Sequence, residues 1–312
     1  MTDYRPPRIL FNRHLETIYP SLVRKVELQP FVRERIPTHD DDFLDLDWIT
    51  QDSKNLVIIS HGLEGNSGRP YVKGMARIFA QNKFDVLAWN YRGCSEEMNR
   101  QLRFYHSGAT DDLSTVVDYA ATKGYDSIYL IGFSLGGNLT LKFLGERGSN
   151  VPTPVKGAAA FSVPIDLHGS CLEISKPGNW IYAQRFLRSL KKKVVDKARV
   201  NNQLDVTDVD KIETLIDFDN RYTSVLHGYK DAVDYYTQCS AIHYLDGIDR
   251  PTLLVNAKND PFLSDRCYPQ LASSSRLTCH YPNHGGHVGF TLFNQNGLYW
   301  SELRALDFIQ SI

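Results

Sequence analysis

Several features are scarce in this chain of 312 residues, and each scarcity excludes something. No apolar run approaches the ~20 residues that span a bilayer; Leu56 to Ile59 is of the longest kind. The first ten residues carry Asp3, Pro6 and Pro7 and lead into no apolar stretch of signal-peptide length. A soluble, unexported protein without stable membrane insertion is therefore expected. Charge of one sign is also missing: 35 Lys and Arg against 36 Asp and Glu leave a net −1. That excludes a globally basic nucleic-acid binder and an acidic disordered tail. The one short basic run, Lys191, Lys192 and Lys193, reads as a solvated helix face. Cysteine is sparse, and its five positions (94, 171, 239, 267 and 279) hold no Cys-x-x-Cys pair. An odd, scattered set argues against a disulfide framework or a zinc site and fits a reducing, cytoplasmic compartment. Repeats and low-complexity tracts are absent.

What remains is an ordinary globular composition, long enough to bury roughly three quarters of its unfolded surface. Short, nearly continuous apolar runs recur at 56–60, 86–89, 128–133, 157–163 and 252–256, with a weaker one at 277–281. Such runs suit strands covered on both faces. Residues 43–49 instead alternate, with Leu44, Leu46 and Trp48 opposite Asp45 and Asp47, which predicts a half-exposed antiparallel edge strand. Helical patterns at 70–82, 110–122, 135–146 and 297–311 fill the gaps. Leu113, Val116, Val117 and Ala120 mark one apolar stripe, and Leu298, Leu303, Leu306 and Ile309 another. Strands alternating with helices of this length define an α/β fold with a mostly parallel sheet. Residues 164–247 break the rhythm and are too long for a simple crossover. They read as an inserted helical cap, with helices at 180–191, 207–217 and 228–238. The core is then 41–163 plus 248–312. Residues 1–40, rich in proline, form an arm along the sheet edge.

The most informative run is Gly132-Phe133-Ser134-Leu135-Gly136-Gly137. It fits G-x-S-x-G between a buried strand and a helix, where a sharp turn would expose Ser134 beside a helix N-terminus. A serine nucleophile needs a base, and the base needs a carboxylate. Asp260 follows the run Thr252 to Asn256, at the end of a buried strand that faces the serine edge. Asp249 precedes that strand and Asp265 lies beyond Pro261. For the base, His284 and His287 both lie in a loop after the last strand run. His287 is favoured because Gly285, Gly286 and Gly289 let its backbone approach other elements. An oxyanion hole needs two backbone donors. Leu135 supplies one, and Leu63, after Ser60-His61-Gly62, supplies the other. His61 is expected to pack beneath the site, and Cys94 to be a small structural residue.

The Ser, Asp, His order in this strand context resembles the α/β-hydrolase superfamily. Further runs resemble its YheT-like branch: Asn12-Arg13-His14-Leu15-Glu16-Thr17-Ile18, His61-Gly62-Leu63-Glu64-Gly65 and Asn90-Tyr91-Arg92-Gly93-Cys94-Ser95. Arg221-Tyr222-Thr223, His227-Gly228-Tyr229, Asp234-Tyr235-Tyr236 and Gly285-Gly286-His287-Val288-Gly289-Phe290 complete the set. The resemblance implies an eight-stranded, mostly parallel sheet with helices on both faces and an inserted cap. It places the catalytic histidine at His287 and supports the cap at 164–247. The chain is expected to lack the N-terminal anchor of the branch's animal lipases, which turns the expectation away from a membrane-bound phospholipid. Leu63-Glu64-Gly65 stands where many lipases carry a glycine run, so a very open oxyanion loop is not expected.

The expected activity is hydrolysis of short- to medium-chain carboxylic esters through an acyl-enzyme, with no metal or organic cofactor. An acyltransferase using the same acyl-enzyme and a catalytically silent binding scaffold are the alternatives. The sequence leaves the oligomeric state open. Trp180, Ile181, Phe186, Leu187 and Leu190 are candidates to line the acyl pocket or to pack the cap.

Overall fold

The computed structural model describes residues 3–270 and 276–312. Its centre is one eight-stranded sheet: β1 (Val32–Pro37), β2 (Phe43–Ile49), β3 (Asn55–Ser60), β4 (Asp85–Asn90), β5 (Ser127–Phe133), β6 (Val155–Phe161), β7 (Thr252–Val255) and β8 (Leu277–His280). The spatial order is β1-β2-β4-β3-β5-β6-β7-β8. Only β2 runs against the rest, pairing antiparallel with β1 and β4; every other neighbouring pair is parallel. The helices are α1 (Arg13–Val23), α2 (Pro70–Gln81), α3 (Thr110–Ala121), α4 (Leu135–Arg147), α5 (Leu167–Ile174), α6 (Trp180–Val200), α7 (Leu215–Phe218), α8 (Ser224–His227), α9 (Ala232–Cys239) and α10 (Trp300–Gln310).

Each sheet face carries its own apolar layer. Leu113, Val116, Val117 and Ala120 of α3 join α4 on one face. Val72, Met75 and Phe79 of α2 join α10 on the other. The stripe of α10 differs from the expected one: Trp300, Ala305, Phe308 and Ile309 are buried, whereas Leu298, Leu303 and Leu306 are only partly so.

The 43–49 strand also departs from expectation. It is buried along its whole length and lies one place in from the edge. The edge is β1, within the proline-rich arm. Arg33 and Arg35 of β1 pair with Asp47 and Asp45 at 2.7 Å, so the alternating aspartates face a neighbour's guanidinium groups, not solvent. Alternation reports which side chains are polar, and a charged partner satisfies a carboxylate as water does.

Between β6 and β7 the chain is largely helical, and its helices differ in extent from the expected ones. The expected helix at 180–191 continues to Val200. The one at 207–217 breaks up, because Asp208 is left-handed and Thr214 starts α7 with its own capping box. Asp219–Thr223 forms a π turn before α8. A third apolar cluster fills this segment, with Leu187, Val194, Leu215, Phe218 and Tyr236.

Candidate active site

The strand order reverses between β3 and β5, which leaves a crevice at their C-terminal ends. Ser134 stands there, between β5 and α4, at φ 53 and ψ −119. A residue with a Cβ holds that conformation only under close confinement. Here confinement is steric. A Cβ on Gly132 would lie 2.5 Å from the Gly136 carbonyl oxygen, and one on Gly136 would lie 2.3 Å from that of Ser60. The elbow thus packs directly against the end of β3.

His287 Nε2 lies 2.9 Å from Ser134 Oγ, and its Nδ1 lies 2.9 Å from Asp260 Oδ2. The Asp260 side chain is fully buried and also accepts from the Phe262 amide at 2.9 Å. The Phe262 ring packs on the imidazole at 4.3 Å. His284 lies elsewhere, half exposed, with Nδ1 3.4 Å from Glu16. Leu63 follows β3 and Leu135 opens α4; neither amide has an acceptor among the described residues. Gly62 keeps this loop against the elbow, for a Cβ there would lie 3.2 Å from Ser134 Cβ. His61 packs beneath, 3.8 Å from the Tyr91 ring, with Nδ1 2.8 Å from the Gly62 carbonyl. Burial pushes its pKa down to about 3, so it is neutral at ordinary pH.

Helix α1 holds the histidine loop, a role that residue-by-residue chemistry did not reveal. Asn12 caps α1 through the amides of His14 and Leu15. Glu16 then accepts the Gly285 amide at 2.5 Å, and Thr17 Oγ1 accepts the His287 amide at 3.0 Å. The approach requires glycine: a Cβ on Gly289 would lie 2.3 Å from the Glu16 carbonyl oxygen. Ser162 fixes the next residue by accepting the Val288 amide at 2.9 Å. The only available signal was the run Asn12 to Ile18, which residue chemistry does not single out.

Two cavities meet at Ser134 and His287. The inner one is mostly apolar, with Leu135, Leu167, Ile174, Leu190 and Phe218 in its walls. Its wall also carries Asp219, whose carboxyl is pushed up to about 6 by burial, against hydrogen bonds from Thr223 and Tyr236. The outer cavity lies against α1 and includes Leu22, Arg69, Ile181, Arg185 and Tyr299. Of the candidate pocket residues, Phe186 and Leu190 line the inner cavity, and Ile181 only the outer. Leu187 packs inside the helical segment, and Trp180 is exposed.

Lys193 corrects the solvated-face reading of the basic run. Its side chain is buried against Glu64, with Nζ 2.7 Å from Oε1. All five cysteines are free. Burial pushes the Cys94 thiol up, which keeps it protonated. Among the described residues no cluster suits a metal ion, and no helix is long and apolar enough to cross a membrane.

An eight-stranded, nearly parallel sheet with a serine elbow at its strand-order reversal defines the α/β-hydrolase class. Comparison with known proteins agrees. The family model described as serine aminopeptidase, S33, matches residues 51–284. The YheT protein of Escherichia coli is 32% identical over 98% of this chain and 93% of its own. The human phospholipase ABHD3 is 29% identical over 88% of this chain and 74% of its own. The monoacylglycerol lipase of Saccharomyces cerevisiae is 30% identical over 80% of this chain and 58% of its own. Among solved structures, the Pyrococcus furiosus esterase Pf2001 superposes with a TM-score of 0.59 at 16% identity, covering 100% of this chain and 98% of that one. The chain belongs to the S33-type hydrolase family of the α/β-hydrolase superfamily, in its esterase- and lipase-type branch with YheT.

Proposed function

We propose that the chain is a serine carboxylesterase acting on short- to medium-chain acyl esters, with Ser134, His287 and Asp260 as its catalytic triad. The observation that carries the reading is the continuous relay from Asp260 through His287 to Ser134, two contacts of 2.9 Å each. Asp260 holds the proton on Nδ1, which leaves Nε2 free to accept the serine proton. Ser134 Oγ attacks the ester carbonyl, and the amides of Leu63 and Leu135 receive the oxyanion beside the positive end of α4. His287 then protonates the departing alcohol, and water repeats the sequence on the acyl-enzyme. The acyl chain lies in the inner apolar cavity under the helical cap, and the alcohol leaves by the outer one. Two relatives named for lipid ester hydrolysis support an ester substrate.

The test is hydrolysis of p-nitrophenyl esters from acetate to palmitate by wild type and Ser134→Ala. The variant is expected to lose ~10⁶ in kcat. A variant retaining more than a few per cent of wild-type rate would remove Ser134 from the mechanism. Absence of hydrolysis together with absence of fluorophosphonate labelling at Ser134 would leave a silent scaffold.

A further inference from the structure

We infer that Glu64 is a positioning residue for the oxyanion site and that Lys193 of α6 holds it, so the helical segment over the sheet sets the aim of the Leu63 amide. The inference rests on the esterase reading above. Glu64 directly follows Leu63, with a left-handed backbone at φ 53 that a side chain tolerates only when its surroundings impose it.

Those surroundings grip every polar group the residue has. Its amide donates to Tyr105 Oη at 2.8 Å, and its carbonyl accepts from Arg69 Nη2 at 2.5 Å. Oε1 accepts from Tyr105 Oη and pairs with Lys193 Nζ, both at 2.7 Å. Oε2 accepts from Ser189 Oγ at 2.6 Å. Ser189 and Lys193 are four residues apart, on one face of α6. Lys193 also lies over the Tyr105 ring at 4.7 Å and donates to Cys94 Sγ at 3.0 Å.

The pair is nearly out of solvent, with side chains 10% and 11% exposed. Burial alone would push the Glu64 carboxyl up; the charge of Lys193 and the three side-chain hydrogen bonds outweigh it and hold the group below its ordinary value. Both partners are therefore charged. No step of the proposed reaction uses either charge. They stand where Leu63 borders both cavities. An oxyanion donor works only if it is already aimed when charge develops, and a misplacement of about 1 Å costs ~10²-fold. A fixed neighbour at the next peptide supplies that aim.

The experiment compares Glu64→Gln, Lys193→Met and Lys193→Arg on p-nitrophenyl esters. It also measures the affinity of a medium-chain alkyl trifluoromethyl ketone, whose adduct with Ser134 carries an oxyanion. Glu64→Gln and Lys193→Met are expected to lower kcat by ~10-fold, keep KM within about twofold, and weaken the ketone by the same factor as kcat. Lys193→Arg should recover to within about threefold of wild type, since it retains the charge. A loss of thermal stability or a raised KM, with kcat and ketone affinity unchanged, would make the pair structural only and overturn the inference. If the charge variants fail to fold, Ser189→Ala removes a single bond to the carboxylate. It should weaken the ketone about twofold to threefold, and an unchanged affinity overturns the inference. A wild type that neither hydrolyses esters nor binds the ketone is a different result: the esterase reading fails, and the inference falls with it.

Discussion

Around Ser134 the chain is held by close contacts that leave no room for a side chain, whereas the helices between β6 and β7, packed round their own apolar cluster, are tied to the rest of the chain by buried polar side chains. The elbow depends on glycines whose Cβ would fall 2.3–2.6 Å from neighbouring heavy atoms, as at Gly132, Gly136 and Gly137. The helical segment depends on reaching groups. Lys193 meets Glu64, and Lys197 donates to the Asn99 carbonyl at 2.6 Å. Asn179 donates to the Pro261 carbonyl at 2.7 Å. A steric frame fails abruptly when one atom is added. A joint of hydrogen bonds and ion pairs yields by degrees and can be retuned. On the proposed reading, the first suits the part that keeps the Ser134 nucleophile fixed, and the second suits the part that meets a variable substrate.

The largest expected break of this contrast is Gly136→Ala. One methyl group driven against the carbonyl oxygens of Ser60 and His61 must displace the elbow or the oxyanion loop. We expect kcat to fall by at least ~10²-fold on every ester, whatever its acyl chain. A loss that varied with chain length would show that the glycine serves the pocket and not the frame.

The same contrast explains what could be read from the sequence. Strand positions, the elbow and the glycine-flanked histidine loop follow from local rules: apolar runs, G-x-S-x-G and small residues at tight turns. Glu16, Thr17 and Glu64 follow from none. Each is bonded to a residue distant in sequence, Glu16 to Gly285, Thr17 to His287 and Glu64 to Lys193, and a carboxylate or hydroxyl in a helix or loop has no local signature of such a contact. Lys193 illustrates the same limit. Lys192 is exposed and Lys191 half-buried, and only the turn of α6 carries Lys193 inward to Glu64. The inward aspartates of β2 read as solvent-facing because their partners sit on a strand inside a proline-rich stretch.

A smaller effect should separate the two regions by pH. Asp219 sits in the helical segment with its carboxyl raised to about 6 by burial. Between its ordinary value near 3.9 and about 6, the folded protein holds a proton that the unfolded chain has released. Stability from this group is therefore complete at the acid end and is lost as pH rises through 6. Asp219→Asn removes the ionisation. Chemical denaturation should show the variant gaining on wild type by on the order of 2–3 kcal/mol between about pH 4 and pH 7, and little more above that. A gap that stayed constant across this range would mean that Asp219 does not ionise against burial.

The smallest effect tests the division of labour itself. Leu190 lines the inner cavity and packs only partly into the apolar cluster of the helical segment, far in sequence from the elbow. Trimming it to alanine widens the cavity without touching Ser134, His287 or the Leu63 amide. A few methylenes of lost contact are worth ~1–3 kcal/mol in discrimination between acyl chains, and packing around a partly buried site can recover some of that. Leu190→Ala should therefore leave p-nitrophenyl acetate hydrolysis within about twofold of wild type. It should lower kcat/KM for the best wild-type chain by less than ~10-fold, and move the optimum toward longer chains. An equal loss on acetate and on the longer esters would mean that the helical segment controls the reacting groups directly, and the distinction between a rigid frame and an adjustable cover would not survive.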